Sequence, residues 1–442
     1  MKLGATGAMG AMGAMGAIGA TGAMGAMGAI GAVLLLIAAP VHAQVRMELS
    51  LDAAVKIAIE GEPSLRAARA EVEAARGMRQ QAGLRPNPSL MIERREEPAG
   101  TDNQTMVQIS VPLDLFRRSA RVDVAERELE AVARSVADRV RMRINEVKLR
   151  YGQAAAAVRE LSIADELAAS ARRELTLLQR RVDEGASPPI DRDVLDVEVR
   201  RLESGRLLAA GRADAAMVQF KRAVGLGADT RVALRETIET LALSAVPAAT
   251  APQPDMRTDV QEAGARVHLA DARIEQAASE GRVDVSLFGS YMRMDAGFSQ
   301  RGFDARGEIE RVRGVFNYVS GGAMVMMPLW NRNQGAVAAA RAERTAAQAR
   351  LEAAQIAAQA EIAEAGALAT SSRQVLVVMA DAVAIARRNL DVVRQTYELG
   401  RATLPDVLTE QRRYFEVEHE YTSALRGAFE ARISLELARG EQ

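Results

Sequence analysis

Four carboxylates gather at two breaks in the helical pattern. Asp191 and Asp193 follow Gly185-Ala186-Ser187-Pro188-Pro189, and Asp406 and Glu410 follow Gly400-Arg401-Ala402-Thr403-Leu404-Pro405. Two chemistries suit them. Carboxylates in a first helical turn complement the helix dipole. Carboxylates repeated around one axis by symmetry form a ring that favours cations. Methionine is the second residue type to weigh. Met292 and Met294 share a strand face by the two-residue period, as do Met324 and Met326, and Met327 follows. Thioether sulfur suits Cu(I). The same side chain also serves adaptable apolar packing or lipid contact, and no second ligand type lies nearby.

Histidine occurs three times, at His42, His268 and His419, and cysteine is absent. Without cysteine there are no disulfides, thiolate metal sites, cysteine nucleophiles or lipid-modified N-terminal cysteine. His268 and His419 each stand alone on a helical pattern, as surface or interhelical residues do. No Gly-rich phosphate loop, metal-ligand spacing or triad is visible, so no catalytic, cofactor-binding or metal-binding residues are expected. Lys+Arg 57 against Asp+Glu 58 leaves a formal charge of −1, which argues against the basic stripe of a nucleic-acid binder. The chain is 48% apolar and 26% charged, which rules out wholesale disorder.

The elements that must position these residues are long. From Arg118 to Glu184 there is no proline and one glycine, Gly152. Apolar residues step by three or four through Val122, Ala125, Leu129, Val132, Val136, Val140, Ile144, Val147, Tyr151, Ala155 and Val158. Such a seam predicts a helix of about 100 Å, a rod that only a coiled coil or tubular bundle can accommodate. Asn331 to Leu399 repeats the pattern through Leu351, Ala354, Ala358, Ile362 and Ala365. Shorter helices, about Asp191–Val224 and Pro405–Leu437, follow after tight turns and run back along the rods.

Strand-like segments precede each rod: Pro88–Arg94 and Thr105–Phe116, then Asp284–Asp295 and Gly314–Trp330. Polar loops are expected between them, at Arg95–Gln104 and Ala296–Arg313. Eight of the fifteen aromatic residues fall in these regions, as in the interfacial girdles of membrane β-barrels. Pro112 and Pro328, Gly185 and Gly400, and Leu195 and Leu408 recur at offsets of 216, 215 and 213, so the chain reads as a tandem duplication. The expected organisation is a signal peptide with a Gly-rich repeat (1–43), a first repeat (44–241), a linker (242–256) and a second repeat (257–442). Four strands cannot close a barrel, and bare edges cannot stand in lipid; three copies would supply twelve strands.

These residues resemble the TolC-type outer-membrane efflux family over nearly all of 48–438. The resemblance rests on the two-fold repeat, Pro112 and Pro328, and Tyr397-x-x-Gly400 followed by Asp406-Val407-Leu408. It also rests on Arg257-Thr258-Asp259-Val260, where the family usually has Arg-Pro-Asp. Pro328-Leu329-Trp330-Asn331-Arg332-Asn333-Gln334-Gly335 is similar to the cobalt–zinc–cadmium efflux branch. The resemblance implies a mainly α fold with a small β part: long antiparallel hairpins forming a trimeric periplasmic α-barrel under a twelve-stranded transmembrane β-barrel.

It implies a passive exit duct of a tripartite pump, in contact with outer-membrane lipid, a periplasmic membrane-fusion adaptor and an inner-membrane proton-driven pump. Heavy-metal cations are among the substrates it suggests. It also implies an aperture or gate at Asp406, Asp193, Asp191, Glu410, Tyr397 and Arg401, with adaptor contacts at the hairpin tips around Gly185, Gly400, Leu195 and Leu408. The family's second aperture Asp falls at Thr409, and its gate Arg falls at Ala402, one residue from Arg401. Type I secretion ducts share this architecture. A periplasmic coiled-coil adaptor is the other class, but it usually has one hairpin rather than a repeated pair.

Overall fold

The computed structural model describes residues 47–98, 102–244 and 254–440. The expected leader, 1–43, and most of the expected linker lie outside them. All described elements belong to the unit Arg46–Gln442.

The first half opens with β1 (Met47–Leu49), α1 (Leu51–Gly61) and α2 (Pro63–Gly83). Each helix start is capped by a side chain. Ala53 N–H donates to the Ser50 hydroxyl (3.2 Å), and Leu65 N–H donates to the Glu62 carboxylate (3.0 Å). Then come β2 (Ser89–Glu96), β3 (Asn103–Pro112), α3 (Arg118–Asp183) and α4 (Pro189–Val224). The halves are joined through β4 (Val232–Leu234) and α5 (Ile238–Leu243). The second half runs α6 (Thr258–Glu280), β5 (Asp284–Phe303), β6 (Ile309–Met326), α7 (Gln334–Glu398) and α8 (Leu404–Arg439). At 66 and 65 residues, α3 and α7 are each about 100 Å long.

Most of the expected seam on α3 is buried or half-buried, and only Val158 at its far end is exposed. The main core lies midway along α3 and toward the C-terminal ends of α4 and α8, around Tyr151, Phe220, Leu425, Phe429 and Ile433. Tyr151 and Phe220 meet edge to face at 5.3 Å. The Tyr151 hydroxyl donates to the Glu236 carboxylate (2.5 Å) and accepts from the N–H groups of Arg235 and Glu236 (3.1 Å each). The phenol thereby ties α3 to a two-stranded parallel sheet of β1 and β4, which the sequence reading did not contain. Gly152 lies against the Phe429 ring, where a side chain would collide.

The larger sheet has the order β2-β3-β5-β6, antiparallel throughout. Among the described residues β2 and β6 each keep one unpaired edge. The expected polar loop at 296–313 is instead largely strand. The β5–β6 ladder continues past a register shift between Gly297 and Arg301 as far as Phe303 paired with Ile309. Polar residues pair as well as apolar ones in a hairpin whose ladder satisfies its own backbone, so the alternation of hydropathy ends before the strand does. The turn is closed by Asp304, whose carboxylate accepts from Arg306 N–H (2.8 Å) and Glu308 N–H (2.9 Å), with Gly307 at φ +82°.

Candidate functional site

Both hairpin tips use one device. Gly185 (φ +74°) and Gly400 (φ +70°) end α3 and α7 in the left-handed conformation. At the first tip Ala186 N–H reaches the Arg181 carbonyl (2.7 Å) and Gly185 N–H the Val182 carbonyl (3.0 Å). At the second, Arg401 N–H reaches Thr396 (2.9 Å) and Gly400 N–H reaches Tyr397 (2.9 Å). This is the Schellman pattern, in which glycine satisfies the last carbonyls at no steric cost. Proline then opens each return helix: Pro189 at the start of α4, and Pro405 within the first turn of α8.

The two tips are packed together. Leu178 of α3, Leu195 of α4, and Leu404 and Leu408 of α8 form a small buried cluster, with Leu175 and Tyr397 against it. Leu195 (1% exposed) and Leu408 (5%) face inward, so the expectation that they meet a partner surface gives way to a packing role. The turn glycines Gly185 and Gly400 are exposed. Two ion pairs frame the cluster: Arg394 of α7 with Glu174 of α3 (3.2 Å), and Arg412 of α8 with Glu198 of α4 (2.7 Å). The Glu198 carboxylate holds the Arg412 guanidinium above its ordinary pKa. The sequence reading singled out none of these four residues. A signal was present: Arg412 and Glu198 lie one turn beyond Leu408 and Leu195, on the packed side of each helix.

The predicted carboxylates fall on both sides of their two readings. Asp406 accepts from the Thr403 hydroxyl (2.6 Å) and the Thr403 N–H (2.8 Å), and these bonds pull its carboxyl below the ordinary range. It is also exposed, so the cap leaves its charge facing solvent. Asp193 pairs with its neighbour Arg192 (2.6 Å), and Glu410 pairs with Arg413 (2.9 Å). Asp191 lies in the first turn of α4, half-buried. Tyr397 is half-buried against the leucines, and Arg401 is exposed.

Midway along α3 a half-buried cation joins three helices. Arg159 of α3 meets Glu239 of α5 and Glu418 of α8 (2.9 Å), donates to Thr422, and stacks over the Tyr421 ring at 5.2 Å. Burial disfavours the charge, but the two carboxylates outweigh it and raise the Arg159 pKa. Tyr414 donates to Glu418 (2.9 Å), and burial together with that bond pushes its pKa up to about 12. The Arg257-Thr258-Asp259 motif forms a second network. Arg257 pairs with Asp259 (2.7 Å) and Glu361 (2.8 Å) and donates to the Ala438 carbonyl at the end of α8. Thr258 donates to Asp138 (2.8 Å), which also holds Arg141.

The sheet is two-faced. The register places Leu90, Ile92, Val107, Ile109, Val111, Leu287, Tyr291 and Val319 on one face, all exposed. The other face carries Gln104, Gln108, Ser110, Ser286, Ser290 and Ser320, and its β3 and β5 residues are half-buried. Met292, Met294, Met324 and Met326 lie on this polar face, not among the valines and leucines. Met327 lies beyond β6 and is exposed.

The Pro328–Gly335 run forms a corner. Asn333 (φ +61°) bonds through its amide to the Ala277 carbonyl at the end of α6 (2.8 Å), and Asn331 and Gln334 accept the N–H groups of Asn333 and Arg332 (3.0 and 2.8 Å). Trp330 at this corner is 88% exposed. Phe116, in the matching turn of the first half, is also exposed. His268 is exposed, and His419 sits 3.8 Å from Glu160. Among the described residues no three His, Asp or Glu side chains are grouped to hold a metal ion.

A sheet with an apolar band on one face, bounded by Arg94, Thr105, Arg293 and Asn317, continued by paired helical hairpins some 100 Å long, has the build of a subunit of a membrane-spanning duct. The chain belongs to the outer membrane efflux protein family, whose model matches residues 54–226 and 255–441. It is accordingly an outer-membrane protein of the transport-duct class. Among solved structures it is similar to CusC, at 19% identity and a TM-score of 0.72 over 89% of this chain and 92% of that one. It is similar to VceC from Vibrio cholerae, at 19% and 0.67 over 88% and 96%. It is similar to the open state of MtrE from Neisseria gonorrhoeae, at 18% and 0.70 over 88% and 89%. At these identities the likeness is one of fold. No curated protein matches the chain significantly.

Proposed function

We propose that three copies of this chain join their sheets edge to edge into a twelve-stranded barrel, β6 of one beside β2 of the next, and form the exit duct of a tripartite efflux pump. The carrying observation is the sheet itself: an apolar outer face, a polar inner face and two open edges. Unpaired backbone groups cannot face lipid, so a sheet of this kind is complete only when closed. The long helices need partners too. α7 is largely exposed, and Ile356, Val377, Val378 and Val392 are each more than 60% exposed. An apolar surface of that extent fits burial against a second copy. Trp330 and Phe116, exposed below the strands, suit the periplasmic edge of the membrane.

In this reading the hairpin tips are the periplasmic aperture. The carboxylates of Asp406, Asp193, Asp191 and Glu410, tripled around the axis, favour cations, while Tyr397 and Arg401 flank the opening. A periplasmic adaptor engages the exposed turns at Gly185 and Gly400 and draws the tips apart, and an inner-membrane proton-driven pump supplies the substrate. Heavy-metal cations are the proposed cargo, on the resemblance of Pro328–Gly335 to that branch and on the carboxylate aperture. The Pro328–Gly335 run builds a corner, so any preference among cations must come from groups that line the conduit.

The test is conductance of the extracted mature protein in planar bilayers, together with cross-linking in detergent. The expected result is a trimeric band and small cation-selective steps that grow when Asp406 is neutralised. A protein that remains monomeric and never inserts would overturn the reading.

A further inference from the structure

The sheet register sets three thioethers side by side. Met106 of β3 stands directly opposite Met292 of β5, and Met294 follows on the same face. Opposed side chains leave the backbone about 5 Å apart, and next-but-one neighbours on a strand about 7 Å apart. Three unbranched side chains rooted on such a triangle can bring their sulfurs to one point. The Gln104 amide donates to the Met292 sulfur, so that sulfur is turned along the face toward β3. All three methionines are half-buried on the face that carries serine and glutamine. Methionine serving lipid contact belongs on the opposite face, and none of the three is there.

We propose that Met106, Met292 and Met294 form a three-thioether station for a soft monovalent cation, Cu(I) or Ag(I). The placing of this face on the lumen rests on the barrel reading above; the binding of the ion by one chain does not. The donor set decides the cargo. Neutral thioethers favour a soft, weakly hydrated ion and give little to Zn(II) or Mg(II). The site brings no charge of its own. Glu93, the register partner of Met106, carries a carboxylate on this face, 3.7 Å from Arg95, and Tyr318, the partner of Met292, offers a ring. A station of neutral sulfurs holds the ion loosely, and conduction requires release.

The experiment uses the full mature protein in detergent, dialysed to equilibrium against Ag(I) and, separately, Zn(II), with bound metal counted by elemental analysis. Wild type is expected to hold about one Ag(I) per chain and no Zn(II) displaceable by it. The Met106→Leu/Met292→Leu/Met294→Leu variant keeps the volume and is expected to bind Ag(I) at least tenfold more weakly. The Met324→Leu/Met326→Leu/Met327→Leu variant removes as many sulfurs elsewhere and is expected to bind as wild type does. In bilayers Ag(I) is expected to reduce the single-channel current of wild type and not of the first variant. Equal Ag(I) binding by wild type and the first variant overturns the proposal. A protein that conducts but binds no Ag(I) also sinks the station and leaves the duct standing. One that binds Ag(I) through the three methionines but never conducts keeps the station and sinks the duct.

Discussion

Alanine in place of Gly152 is expected to destabilise the protein, against the preference of the helix that contains it. Gly152 lies in the interior of α3, where alanine is favoured over glycine by about 1 kcal/mol. The Cβ it would add stands 2.3 Å from both Cδ1 and Cε1 of Phe429. Carbon atoms settle at about 3.5–4 Å, so the ring or the helix must move by more than about 1 Å. Phe429 is fully buried, and Arg432 lies 5.2 Å from its ring centre, so the ring has no free side to move toward. Overpacking of this kind costs about 1–3 kcal/mol. After the helix gain the expected net loss is ~1 kcal/mol. The assay is denaturant unfolding at one fixed protein concentration, run as a double-mutant cycle with Phe429→Leu. The smaller side chain makes room, so the double variant is expected to be more stable than the sum of the single changes predicts. Gly205 of α4 has open space where a Cβ would stand, and Gly205→Ala is expected to stabilise by up to ~1 kcal/mol. A Gly152→Ala protein as stabilised as Gly205→Ala, with no coupling to Phe429, refutes the reasoning.

At the tips, Arg412→Ala removes the pair with Glu198. Because Arg412 is half exposed, screening limits the loss to roughly 1 kcal/mol, enough for about a fivefold rise in open probability in single-channel recordings. Unchanged gating would detach this pair from the aperture. Asp406→Asn and Thr403→Ala separate the two roles of Asp406: both weaken the cap, but only the first removes the charge. Cation selectivity is therefore expected to fall in Asp406→Asn and persist in Thr403→Ala, and equal selectivity in the two would leave Asp406 as a cap alone.

Acid is expected to weaken the buried networks. Burial raises the carboxyl pKa of Asp259 and Glu239, but their arginine partners and hydrogen bonds more than offset this and hold both below the ordinary value. The stability they contribute is therefore complete above about pH 5 and is lost as pH falls through their folded values. An unfolding midpoint flat from pH 7 to 5 and falling below about 4 is expected, with a shallower fall in Arg257→Met. The same fall in that variant would assign the acid effect elsewhere.

The sequence was most legible where one residue type has one cheap use. Glycine at a left-handed helix end followed by proline fixed both hairpin turns, and Gly185 and Gly400 stand where that chemistry requires. Three- and four-residue spacing marked the rods. The strand ends were not legible, because beyond the apolar band the β5–β6 hairpin owes nothing to apolar alternation and only to its own ladder. Nor was the register, and with it went Met106, whose meaning comes from Met292 on another strand. The tip carboxylates were legible as a group. The ion pairs beside them, Arg394–Glu174 and Arg412–Glu198, join residues of four different helices, and a single seam does not report which helices meet.

The apolar surface of α7 brings the two kinds of hydrophobicity in this chain into contrast. By length and composition α7 could cross a membrane. Its position in the chain argues otherwise. It starts at the corner after β6, near Trp330, and ends at Glu398, one residue past Tyr397 of the tip cluster, about 100 Å away. A bilayer core is about 30 Å thick, so no membrane covers the whole of such a helix. The buried positions of α7 are mostly alanines, among them Ala340, Ala347, Ala358 and Ala365, while its larger apolar residues, Leu376 and Leu390 excepted, are exposed or half-buried. Alanine admits close approach within the chain, and valine and isoleucine outside supply area to bury against another surface. One helix thus carries a tight internal contact and a broad external one. In the proposed trimer that external face lies against a long helix of a second copy, an element of equal length.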